Sequence, residues 1–133
     1  MKWSPGSLLM ATGVGHALVG VVLFYDALAA ILRDGFFNAI APHFDREAAF
    51  WFLLFSPLCY LLGQVVNRAV EWGDTRLLAV LGGHVLAIGV VGVMLLPISG
   101  FWILIAIAVV IFATARGVDR GSAAFAGVAH QRL

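Results

Sequence analysis

Long uncharged stretches alternate with short clusters of charge along this chain. Residues 3–25 carry no acidic or basic side chain, and neither do residues 48–67. Residues 77–115 form a single uncharged run of 39. One membrane crossing needs about 20 apolar residues, because the hydrocarbon core is ~30 Å thick and a helix rises ~1.5 Å per residue. The long run therefore holds two crossings, and Pro97-Ile98-Ser99-Gly100 supplies a turn between them. The pattern predicts four transmembrane helices over about 7–32, 48–70, 77–96 and 101–118. A closed β-barrel would need many segments of alternating polarity, and none is present. The fold class expected is all-α, an integral membrane four-helix bundle forming one domain over 1–133.

Composition agrees. The 133 residues are 62% hydrophobic and 11% charged, too little charge to cover a small soluble domain. A net charge of +1 leaves no basic face for nucleic acid. The single Cys59 has no partner for an internal disulfide and reads as a buried thiol.

Orientation follows from the cations. With four spans, both termini and the loop between the second and third helices share one side. That side carries Lys2, Arg68, Arg76, Arg116, Arg120 and Arg132, against Arg33 and Arg46 opposite. Six against two predicts an N-in, C-in topology. Trp3 and Trp72 then fall at the inner interface, Trp51 and Trp102 at the outer one, where indole is favoured. Lys2 and Ala27-Leu28-Ala29 loosely resemble a signal peptide, but the apolar core is longer than such peptides carry, so the first segment is read as a retained span.

The long loop, 34–47, places Phe36, Phe37, Ile40 and Phe44 at helical spacing, predicting a short helix in the outer interface. A sharper reading makes it a lid over an external cavity. Asp26 and Arg33, seven residues apart, are expected to form an interfacial ion pair. The tail, 119–133, is expected to prolong the fourth helix briefly and then loosen.

Candidate chemistry lies in the inner half of the membrane. Gly15-His16-Ala17-Leu18 is echoed by Gly83-His84-Val85-Leu86, 68 residues later, which sets His16 and His84 at similar depth. Tyr60, Gln64, Asn67, Arg68 and Glu71 share one face of the second helix, and Thr12 shares the face of His16. Polar groups in hydrocarbon turn toward the bundle interior or a watered cavity. A ligand-binding cluster of Thr12, His16, Tyr60, Gln64, Asn67 and His84 is therefore expected, with Thr114 nearby. The plainest role is packing, since interhelical hydrogen bonds contribute ~0.6–2 kcal/mol each. A second is a site for a lipid or other apolar small molecule. A third is haem b held axially by His16 and His84. Zinc or copper lacks a third thiolate or carboxylate, and no enzyme motif is present. Beyond the lipid bilayer, the partners expected are a second copy of the chain or a larger membrane complex.

Gly15-His16, Phe50-Trp51-Phe52 and the run from Leu96-Pro97 through Ser99-Gly100-Phe101-Trp102 occur in order along the chain. In these features it resembles a family of small four-span bacterial membrane proteins catalogued as a domain of unknown function. The resemblance covers the chain to about residue 115. It implies the four-span fold and a bacterial inner membrane, and it implies no activity.

Overall fold

The computed structural model describes residues 4–130, with side chains described to Val118. Lys2, Trp3 and Arg132, and the side chain of Arg120, lie outside that description. The chain is all-α: α1 is Pro5–Leu23, α2 Tyr25–Arg33, α3 Phe44–Glu71, α4 Thr75–Leu95 and α5 Phe101–His130. Four of these are long and apolar enough to cross a membrane, over Pro5–Leu23, Phe44–Glu71, Thr75–Leu95 and Phe101–Val118. This is a multi-pass membrane protein.

The chain divides into two compact units, one of Met1–Leu9 with Gly63–Leu133 and one of Met10–Leu62. In the first, α4 and α5 form an antiparallel hairpin. The buried residues of α4 are Leu78, Gly82, Val85, Gly89 and Gly92. Those of α5 include Leu104, Ala108, Ile111 and Ala115. Both sets step by three and four, the 3.5-residue repeat that carries one seam along a shallowly crossed helix pair. Small residues bring the backbones together, because lipid supplies no hydrophobic force between helices and close packing must do so. A Cβ on Gly89 would stand 2.8 Å from Ile105 Cγ1. One on Gly92 would overlap the Phe101 ring.

The ends of these helices are closed by local chemistry. Asp74 caps α4, its carboxylate accepting from the Leu77 N–H at 2.8 Å. Gly73, at φ 67°, ends α3 in the left-handed conformation that glycine adopts without strain. In the α4–α5 turn, Ser99 Oγ donates to the Leu96 carbonyl at 2.6 Å and the Trp102 indole donates to the Pro97 carbonyl at 3.0 Å. At the start of α1, Ser4 Oγ accepts from the Ser7 N–H at 3.1 Å, with Pro5 directly after it.

In the second unit, α1 and α3 run antiparallel. A Cβ on Gly13 would stand 2.7 Å from the Ser56 carbonyl oxygen, and one on Gly20 would stand 2.6 Å from Leu53 Cδ2. The first long helix expected over 7–32 is broken here: Phe24, at φ −109° and ψ 24°, separates α1 from α2. The Phe24 N–H still bonds to the Gly20 carbonyl and the Phe24 carbonyl accepts from the Leu28 N–H, both at 2.9 Å, so those bonds continue across the break. Ala27 and Ile31 bury one side of α2 while Tyr25 and Leu32 are exposed.

Four further expectations are corrected. Residues 34–43 are turns rather than an interfacial helix. Gly35, Phe36 and Asn38 have φ of 88°, 67° and 54°, values no right-handed helix contains. Helix α3 begins at Phe44, not near Ala48, because Asp45 and Glu47 suit the positive end of a helix dipole and extend its first turn. Asp26 does not pair with Arg33. The ion pair is Asp34–Arg46, at 2.7 Å. The fourth span, Phe101–Val118, is as expected, but the tail expected to loosen stays helical to His130.

The glycines separate by environment, and stability should follow. Gly13→Leu places a branched side chain against the α3 backbone, and a loss of about 1–3 kcal/mol is expected, the cost of overpacking. Gly15 has open space at its Cβ position, so Gly15→Leu should change stability by no more than about 0.5 kcal/mol. Thermal unfolding of the detergent-solubilised protein measures both, and equal losses would contradict the packing described.

Candidate functional site

The six expected site residues fall into both units. His16 lies in the unit of Met10–Leu62. Its ring lies on Phe52 with centroids 4.0 Å apart and planes 14° apart, and meets the edge of Phe55 at 5.1 Å. Its Nε2 is 3.1 Å from the Phe52 carbonyl oxygen. A carbonyl only accepts, so Nε2 carries the proton and donates. The close approach at Gly13, one turn earlier on α1, lets this short polar side chain reach the α3 backbone. Thr12 is half-buried and Tyr60 exposed. Ser56, two turns into α3 from Ala49, is buried with an Oγ that has no hydrogen-bond partner.

In the unit containing Gly63–Leu133, Asn67 is half-buried and accepts from Ser4 Oγ at 2.6 Å. Ser4 was not among the expected residues, although Ser-Pro before an apolar run is a legible helix start. Gly6 makes this contact fit, since a Cβ there would overlap the Gly63 carbonyl oxygen and the Asn67 amide. Gln64 is exposed, and among the described residues its side-chain amide has no hydrogen bond.

His84 is exposed as well. Its Nδ1 donates to the Val80 carbonyl at 2.8 Å, four residues back on its own helix. In the neutral ring that bond fixes the tautomer, with the proton on Nδ1 and Nε2 left as an acceptor. Thr114 likewise turns back on its own helix, donating to Val110 at 2.8 Å.

A feature that sequence patterning missed is an apolar groove on the α4–α5 hairpin, about 440 Å³, lined by Ala87, Ile88, Val91, Leu95, Leu96 and Phe101. Every lining side chain is hydrocarbon, so the groove holds no group that could steer a reaction. His84, Ile88, Val91 and Leu95 stand at i, i+4, i+7 and i+11, which puts His84 on the same helix face, one turn beyond the lining. The signal for it was Gly92 facing Phe101 across a short turn, a pairing visible only once the hairpin register is known. No group of three His, Cys, Asp or Glu among the described residues could hold a metal ion.

Two substitutions separate the contributions of His16. His16→Phe keeps the stack on Phe52 and drops the bond to its carbonyl, at an expected cost of about 0.5–1.5 kcal/mol. His16→Ala removes both and should cost about 1–3 kcal/mol. Detergent unfolding curves measure the difference, and no loss in either variant would mean that this contact does not hold α1 to α3.

No curated protein matches the chain, and no solved structure does. A family model matches residues 1–117, nearly all of the membrane-embedded part. The chain belongs to this family, DUF6463, a family of unknown function.

Proposed function

We propose that the chain is a non-catalytic membrane module, an accessory subunit completed by a second molecule at the polar positions its own helices leave open. The observation that carries this is His84. An imidazole with a bare Nε2 is exposed midway along a transmembrane helix. Hydrocarbon offers that atom no donor, and such residues face protein, ligand or water in membrane proteins. Gln64 adds a second exposed polar group. It lies seven residues before the end of α3, and His84 nine residues after the start of α4. At ~1.5 Å per residue both sit roughly 10–14 Å from the same side.

A second reading has its own support. The apolar groove next to His84 has room for part of an acyl or isoprenoid chain, with the imidazole accepting a hydrogen bond from a headgroup. Thr12, His16, Tyr60 and Asn67 then serve the bundle itself rather than the ligand. Haem b between His16 and His84 is less well supported. Axial ligation needs an imidazole free to turn a nitrogen to the iron, and the His16 ring is stacked on Phe52, edged by Phe55 and bonded through Nε2 to the Phe52 carbonyl.

Native mass spectrometry after mild-detergent extraction tests both readings together. Wild type should carry a stoichiometric protein partner, a second copy or an enriched apolar species. His84→Leu combined with Gln64→Leu should release a protein partner, whereas Val91→Trp, which fills the groove, should release a small molecule alone. A bare monomer in wild type would sink the proposal.

The arginine distribution supports an N-in, C-in topology, and family resemblance supports a bacterial inner membrane. Cys59 is the one cysteine and is buried, so a Cys59→Ala background allows single-site labelling. An impermeant maleimide added outside intact cells should label a cysteine at Asn38 and spare one at Trp72. The reverse would invert the topology.

A further inference from the structure

The loop over residues 34–43 is built more firmly than a connection requires. Arg46, on the first turn of α3, is only 9% exposed. It pairs with Asp34 at 2.7 Å on one side of the loop and donates to the buried Ala39 carbonyl on the other. One guanidinium thus ties both halves of the loop to α3, and its planar fork of donors suits that task where a lysine ammonium would not. Gly35 closes α2 as a left-handed cap, with the Phe36 N–H bonded to the Ile31 carbonyl at 3.0 Å.

Within this frame Phe36 also has left-handed backbone, at φ 67°. For a residue with a bulky side chain that conformation is disfavoured, and it persists only where surrounding contacts over-determine it. Its consequence is display. Phe36 is 74% exposed, Phe37 92% and Phe44 85%. Phe44 and Trp51 are seven residues apart on one face of α3, and Trp51 is exposed too. Aromatic surface therefore runs from the loop onto the start of a membrane span. Arg33, exposed at the end of α2, adds a cation beside it.

We infer that residues 34–44 form a preformed interfacial anchor, whose three phenylalanines enter the acyl-chain boundary of the adjacent phospholipid leaflet while Arg46 holds the backbone above it. A lipid surface fits better than a protein groove because both flanks of the loop are themselves at the membrane. The three rings come from two adjacent loop residues and a helix start rather than from one face of a helix. Lipid accepts such a dispersed apolar surface without needing complementary shape, and Arg33 lies where a phosphate would be met.

Spin labelling in the Cys59→Ala background tests this in phosphatidylcholine–phosphatidylglycerol vesicles. A nitroxide on Phe37→Cys should collide freely with oxygen. It should be shielded several-fold from a water-soluble nickel chelate, relative to the same label on Glu71→Cys. Adding Arg46→Gln should raise chelate access at position 37 while leaving helix content by circular dichroism unchanged. High chelate access in the unaltered loop would place it in water and overturn the anchor. Low access to both oxygen and chelate would place it against protein, also overturning it. Unchanged depth with Arg46→Gln would overturn the role of the arginine. Loss of helix in that variant is answered by Asp34→Asn, which breaks the pair from the exposed side and should give the same shift.

Discussion

Hydrocarbon offers no hydrogen bonds, and most of what this chain does follows from having to satisfy its polar atoms without help from solvent. Backbone groups meet the requirement by forming helices. At the helix ends the requirement falls on particular residues: Ser4 and Asp74 accept from first-turn amides, and Ser99 donates to a last-turn carbonyl. Inside the spans, polar side chains have taken two routes. Thr114 and His84 return to a carbonyl four residues back on their own helix, a bond that needs no neighbour. His16 crosses to another helix, which requires the helices to be close. Among the described residues, the buried Ser56 Oγ, the exposed Gln64 amide and Nε2 of His84 are left without a hydrogen-bond partner inside the chain.

Closeness depends on small residues. Gly6, Gly13 and Gly20 recur every seven positions on α1, and Gly82 and Gly89 do so on α4. In each case a side chain would meet the facing helix. In lipid this is the main source of helix association, because apolar side chains gain nothing by leaving one hydrocarbon environment for another. The same reasoning explains why so many large apolar residues are exposed, Val22, Leu32 and Met94 among them. Such residues would threaten solubility in water; here they are the surface the bilayer wets.

The two arginines on one side of the membrane show how a charge count and a structural role differ. Both counted equally in the orientation argument. In the structure Arg33 is exposed, whereas Arg46 is buried and holds the loop through Asp34 and Ala39. Nothing in their spacing separates them, because Asp34 and Arg46 are twelve residues apart and meet only when the loop turns back.

What the sequence determined by itself was the number of membrane-spanning segments, their apolar character and the place of the α4–α5 turn. Those properties depend on the length of apolar runs and on local turn chemistry, both readable one segment at a time. The tertiary structure decided the rest. It broke the first helix at Phe24 and coiled the 34–43 loop through left-handed positions that helical spacing of its phenylalanines had concealed. It sent His16 to a backbone carbonyl and paired Asn67 with Ser4. Depth along a helix follows from counting residues, but the direction a side chain takes and the atom it meets depend on which neighbour stands opposite. A single chain of letters does not contain that neighbour until the helices have packed.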